Sequence, residues 1–176
     1  MPSDYAEYNE NGIYFAYPSN WSVQNSILNE TEKDVTQDDL LIEDVAETIT
    51  VTDPYGSFWM LAIYPGGTCA DTAAKKILKT MMSEYKKLEN EPIKKYIADR
   101  ILHGYEMHFV FLVLTSTALV LGFEENDKTY IVYWQTCDRL AITDENICCE
   151  DVFEAITHTF LENLNNEKKK TSPETE

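Results

Sequence analysis

Hydrophobic and polar positions alternate with a period of two along much of this chain, and twice give way to a helical period of about 3.6. Residues 12–17 (Gly-Ile-Tyr-Phe-Ala-Tyr) alternate aromatic and small side chains and predict a strand. Pro18-Ser19-Asn20 reads as a turn, and Trp21 opens a short second strand. Residues 45–52 put Val45, Glu47, Ile49 and Val51 on one side and Ala46, Thr48, Thr50 and Thr52 on the other, again a strand. Asp53-Pro54-Tyr55-Gly56 is a hairpin turn, because Pro fixes one φ and Gly frees another. The return strand, residues 58–64, is apolar on both faces, so both faces are expected to be covered.

After the breaker Pro65-Gly66-Gly67 the period changes. Ala74, Ile77, Leu78, Met81, Tyr85 and Leu88 fall on one stripe of a helix that Thr68 or Asp71 is placed to cap. Lys75, Lys76, Lys79, Lys86 and Lys87 fall on its other side. Pro92 bars a continuation, and residues 93–101 read as an edge-like strand. From Gly104 a β meander is expected. Tyr105, Met107, Phe109, Phe111 and Val113 face one way in it, and Glu106, His108, Val110 and Leu112 the other. Residues 116–124 and 129–135 continue the meander around a hairpin tip at Glu125-Asn126-Asp127. A last helix, capped by Thr143, Asp144 or Asn146, buries Cys149, Val152, Phe153, Ile156, Phe160 and Leu164. Residues 1–10 are polar and expected to be flexible, residues 11–165 form one domain, and residues 166–176, with Lys168, Lys169 and Lys170, are expected to be a disordered tail.

Antiparallel strands with segregated helices define an α+β class, with a central antiparallel sheet of about six strands flanked by helices. Several stretches add a resemblance. Gly12-Ile13 with Phe15, Tyr17-Pro18 and Trp21 resembles the opening pattern of the PsbP-like and DcrB-like domain superfamily. Leu102-His103-Gly104-Tyr105-Glu106 is similar to the segment before that superfamily's central meander. Lys128-Thr129-Tyr130-Ile131-Val132 is similar to one of its strands, and the closing helix with Ile156 and Phe160 to its terminal segment. Thr159 stands where the superfamily usually has serine, and the acidic stretch 30–44 has no counterpart in it. The resemblance covers residues 11–162. It implies an α/β/α sandwich and a role in binding other macromolecules. Members of the superfamily include an extrinsic photosystem II subunit, a nuclear-transport factor that binds the Ran GTPase, and chaperones of type VI secretion effectors.

Charge narrows the partners. The 176 residues carry 14 Lys and Arg against 31 Asp and Glu, a formal net charge of −17. Such a field repels phosphate backbones and anionic lipid, so no nucleic-acid partner is expected. Nine carboxylates stand against Lys33 alone between Glu30 and Asp53, and residues 30–44 read as an acidic loop or insertion. Residues 69–96 reverse the sign, with seven lysines against four carboxylates. Exposed charge of this kind steers association and sets specificity. Lys75, Lys76, Lys79, Lys86 and Lys87 are therefore the candidate docking face for an acidic partner. The plainer alternative is a solvated helix face.

Aromatics at 12% provide for a substantial core. The most apolar stretches, 109–113 and 118–122, are interrupted by Thr115, Ser116 and Thr117 and fall short of the roughly 20 residues of a membrane span. The opening residues have neither a basic cluster nor an apolar run, so a cytoplasmic protein without a secretory leader is expected.

Catalytic chemistry has little to stand on. Glycine-rich phosphate loops, zinc-protease helices and nucleophile elbows are all missing from the sequence. Cys69, Cys137, Cys148 and Cys149 form no CxxC pair and are expected to be free thiols, with neither metal nor cofactor. The sharpest catalytic alternative is a hydrolase with Cys148 or Cys149 at a helix start and His103 or His108 as base. Against it, Asp144, Glu145, Glu150 and Asp151 disfavour a thiolate there. His158 lies opposite the buried stripe. A small-ligand or lipid pocket is a third reading, lined by Tyr14, Tyr64, Phe109, Tyr130 and Trp134. The reading favoured by the sequence is a non-catalytic protein-interaction or adaptor module.

Overall fold

In the computed structural model, described over residues 4–27, 45–85, 87–111, 114–137 and 149–171, the period-two segments become strands and the two helical stripes become helices. The strands are β1 (Tyr5–Glu10), β2 (Ile13–Pro18), β3 (Ser22–Ile27), β4 (Glu47–Thr52), β5 (Phe58–Pro65), β6 (Glu89–Ile97), β7 (Arg100–Phe111), β8 (Leu114–Glu125) and β9 (Lys128–Cys137). The helices are α1 (Ala70–Glu84), between β5 and β6, and α2 (Cys149–Thr171), after β9.

Seven strands form one sheet in the order β3-β4-β5-β9-β8-β7-β6, and each of its pairings is antiparallel. The chain leaves the middle of the sheet at β5, crosses one face through α1, and reaches the far edge at β6. It then meanders back through β7 and β8 to β9, beside β5. The sheet has more strands than the six or so expected. Residues 93–101, expected as one strand, instead belong to a hairpin, and β6 begins earlier, at Glu89. Its two-residue turn is Ala98-Asp99, both at positive φ (48° and 62°). Alanine carries no turn signal and Asp99 alone, without a glycine beside it, is a weak one. The turns at Asn126-Asp127 and at Gly56 fall where residue chemistry places them. At the latter, the Asp53 carboxylate accepts the Tyr55 and Ser57 N–H groups at 2.7 and 2.9 Å.

Alternation splits the core in two. Met60, Ala62, Tyr64, Met107, Phe109, Val120, Ile131 and Tyr133 face α1 and pack on Ala73, Ala74, Ile77, Leu78 and Met81. Trp59, Leu61, Ile63, Leu119, Leu121, Tyr130, Val132 and Trp134 face the other way, toward α2 and the β1–β2 hairpin. Gly104 lies where a Cβ would sit 1.7 Å from the Val120 carbonyl oxygen, so β7 and β8 approach there only because the residue is glycine. Trp21 precedes β3 and is only half-buried, edge-on to Phe153 at 5.6 Å. The fully buried tryptophan is Trp59.

Residues 5–10 form β1, although their polarity suggests a loose terminus. Tyr8 explains the order. Its ring stacks on Phe15 at 4.9 Å, and its hydroxyl accepts from Asn25 Nδ2 at 2.7 Å and donates to Glu10 at 3.3 Å. Glu47 joins the group, accepting from Asn11 and Asn25. Burial, then the charges of Glu10 and Glu47, push the Tyr8 hydroxyl up to about 12. The folded state therefore holds this proton more tightly than the unfolded chain. The resulting stabilisation is complete below about pH 10 and is lost as pH rises toward 12. Wild type is expected to lose stability across this window in urea titrations, whereas Tyr8→Phe lacks that component. Equal slopes in the two proteins would refute the assignment.

α2 continues to Thr171, into the stretch expected to be a tail. Its Thr159 hydroxyl accepts the Ala16 N–H at 3.1 Å and so fastens β2 to the helix. The acidic segment 30–44 lies outside the described residues.

Candidate functional site

α1 sits on β7, β8 and β9 through its alanine-rich stripe. Small side chains let the helix approach the sheet closely, and the long polar ones are left on the solvent side. Its first residue is Ala70, with Cys69 at the N-cap, and neither Thr68 nor Asp71 provides the cap. The carboxylate of Glu124, from β8, accepts the Ala70 N–H at 2.9 Å instead. A cap supplied by a distant strand has no local signature.

Of the five lysines of the candidate docking face, Lys75, Lys76 and Lys79 lie on α1 and are exposed. Lys75 pairs with Asp71 one turn earlier, at 2.5 Å, and that hydrogen bond raises its pKa. Helical spacing puts Lys75 on the flank toward β7, Lys79 on the crest and Lys76 on the far flank. The helix ends at Glu84, so Lys87, exposed, lies in the connection to β6 rather than on the helix. Lys86 lies outside the described residues. The lysines are thus spread over a helix crest and a following turn, not aligned in a single row.

The described thiols and imidazoles each have other neighbours. The Cys149 thiol faces the Asp53 carboxylate at 3.7 Å, and its side chain packs against the α2-side core. His103 occupies the opposite face of the sheet, exposed on β7. His108 meets Glu106 at 3.5 Å and Thr117 at 3.2 Å. His158 pairs with Glu162 at 3.5 Å, two and a half turns along α2 from Cys149. Cys69 is exposed at the start of α1. Cys148 lies outside the described residues, as does the side chain of Cys137. Among the described residues, no group of His, Cys, Asp and Glu is arranged to hold a metal ion.

The aromatic set considered for a ligand pocket divides between the two cores. Tyr64 and Phe109 lie on the α1 side, and Tyr130 and Trp134 on the α2 side. Two surface hollows of about 380 Å³ are lined by loops and polar side chains. One lies at the Gly66-Gly67 turn beside Glu124 and Asp127, the other between the β6–β7 turn and α2. Among the described residues, no helix is long and apolar enough to cross a membrane.

The sequence reading missed the surface beside α1. Tyr96 and Ile101, 68% and 60% exposed, are opposite each other across the β6–β7 register. Only recognition of the Ala98-Asp99 turn could have paired them.

These features define a mixed α+β protein with a seven-stranded antiparallel sheet, two helices and lysines concentrated on and just after the first helix. In comparisons with known proteins, no family model matches the chain and no curated protein matches it.

Proposed function

We propose that the chain is a non-catalytic protein-interaction module, an adaptor built on a PsbP-like α/β/α sandwich, whose basic α1 surface docks an acidic partner. The observation that carries the reading is electrostatic. A chain of net charge −17 exposes Lys75, Lys76, Lys79 and Lys87 together on and just after one helix. The two core clusters, one under each helix, support the sandwich. The Cys-His hydrolase reading has less support, because Cys149 and His103 belong to opposite sides of the sheet, while Cys149 faces the Asp53 carboxylate and His108 meets Glu106 and Thr117.

The test is a pull-down from native lysate at low and moderate salt. Tagged wild type is compared with a variant carrying Lys75, Lys76, Lys79, Lys86 and Lys87 changed to Glu. Wild type is expected to retain a partner that the variant loses, and to hold it less well as salt rises. Lys76→Glu with Lys79→Glu should leave stability within about 0.5 kcal/mol of wild type, since both side chains are exposed. The same partners held by wild type and variant at both salts would sink the reading.

A further inference from the structure

Strand alternation sorts the charges of the β6–β7 hairpin onto two faces. Glu89, Glu91 and Glu106, all the carboxylates of these two strands, fall on the α2 side. Lys95 shares that side, pairing with Glu154 at 3.3 Å and lying over the Trp134 ring. The α1 side carries Pro92, Lys94 and Tyr96 from β6 and Ile101, His103 and Tyr105 from β7, with no carboxylate from either strand. The register pairs Pro92 with Tyr105, Lys94 with His103 and Tyr96 with Ile101.

This side is a shelf next to α1. Pro92, Lys94, Tyr96, Ile101 and His103 are exposed on it, and Tyr105 is half-buried. The flank of α1 continues it. Lys75 on that flank is a neighbour of Tyr105, and the Met82 sulfur, on a side chain 50% exposed, meets Asn90 Nδ2 at 4.0 Å. Two carboxylates stand at its margins: Asp71 pairs with Lys75, and Asp99 accepts from the Tyr96 hydroxyl at 3.0 Å. An apolar centre beside Lys94 and a ring N–H of His103, with no carboxylate from either strand on this face of a chain of net charge −17, is complementary to a ligand that combines carboxylates with apolar anchors. Screening limits what a short ligand feels to about 8–10 Å, so the shelf rather than the net charge dominates its approach.

We propose that this shelf docks an acidic peptide segment of another protein. Aromatic or aliphatic side chains of the segment lie on Tyr96 and Ile101, and its carboxylates meet Lys94 and a ring N–H of His103. The inference rests on the interaction-module reading and narrows it to one partner chemistry and one surface. Strand addition to the free edge of β6 is disfavoured. The two-residue turn makes Ile97 and Arg100 a doubly hydrogen-bonded pair, so alternate residues 90, 92, 94 and 96 direct their backbone groups outward. Pro92 is one of them and offers no N–H there. The segment is therefore held by side chains.

The test pans a phage-displayed random peptide library on the full chain. Selected peptides, dye-labelled, are then titrated by fluorescence anisotropy. Peptides combining Asp or Glu with aromatic or aliphatic residues are expected to be enriched. Their affinity should fall about tenfold or more in the Lys94→Glu/Tyr96→Ser/Ile101→Ser variant and should weaken with salt. Amide shift changes should centre on residues 92–105. All three substituted side chains are exposed, and Lys94→Glu alone serves if the triple variant melts early. Peptides that bind the shelf variant as well as wild type overturn the inference. If these same peptides are lost on Lys76→Glu/Lys79→Glu, the interaction-module reading survives without it. Enrichment of basic peptides, or of none, overturns the inference, as does wild-type self-association abolished by the shelf variant, which would put a second copy there.

Discussion

Trp59→Ala is expected to destabilise the protein by about 3–5 kcal/mol, read as a lower urea midpoint at unchanged slope. Trp59 is fully buried in β5, directly opposite Val51 on β4 and Trp134 on β9. Its ring meets Phe15 of the hairpin at 5.1 Å, and its Nε1–H donates to the Thr157 hydroxyl at 3.0 Å. That hydroxyl in turn donates a hydrogen bond to the Phe153 carbonyl at 2.8 Å. One side chain therefore ties the sheet, the hairpin and α2 together, and truncating it leaves a cavity where all three meet. Set against a typical total of about 5–15 kcal/mol, the loss is a large fraction. Trp59→Phe keeps most of the ring and loses the donor, so it should cost less, about 1–3 kcal/mol. Trp21→Ala should also cost less than Trp59→Ala, because Trp21 is half-buried. A Trp59→Ala loss smaller than that of Trp21→Ala would contradict this packing.

Arg100→Ala is expected to cost about 3–5 kcal/mol, the penalty for removing one partner of a buried ion pair. The Arg100 side chain is 16% exposed and that of Glu125, its partner, 2% exposed. The guanidinium also donates from Nε to Asn165 Oδ1 at 3.0 Å and lies over the Phe123 ring at 5.5 Å. It links the β6–β7 turn, the end of β8 and the later turns of α2. Replacing both members, Arg100→Leu with Glu125→Leu, should recover most of the loss, because no buried charge is then stranded. A double variant as unstable as Arg100→Ala would show that geometry, not charge burial, sets the cost. The single variants Arg100→Leu and Glu125→Leu, measured with the double in urea, complete a double-mutant cycle.

Much of the fold was legible because it rests on periodicity and local turn chemistry. The stripe of α2 (Val152, Phe153, Ile156, Phe160, Leu164) is buried as its spacing predicts. The Asp53–Gly56 turn follows from residues that favour one backbone shape each. The Tyr105-Met107-Phe109 alternation of β7 likewise holds, with Met107 and Phe109 in the α1-side core. What failed were features set by distant partners. Residues 5–10 are ordered by pairing with β2 and by Asn25. The start of α1 is capped by Glu124 from another strand. The Ala98-Asp99 bend is imposed where β6 and β7 pair, on an alanine that announces no turn and an aspartate that alone is a weak signal.

The candidate surface divides in the same way. Helical period alone sent Lys75, Lys76 and Lys79 to solvent, since the alanine and leucine stripe opposite them must be buried. Nothing local could end the helix before Lys87, bring Lys94 beside His103, or set Tyr96 against Ile101. By itself, then, the sequence determined the α+β class, the two helical faces, most strands and the acid–base asymmetry, because these depend on neighbours within a few residues. Only the tertiary structure decided the order of the seven strands, the placement of Cys149 and His103 on opposite sides of the sheet and the sorting of the β6–β7 charges onto opposite faces. Those properties depend on register between segments far apart in the chain, and a shift of one residue would send every side chain to the other face.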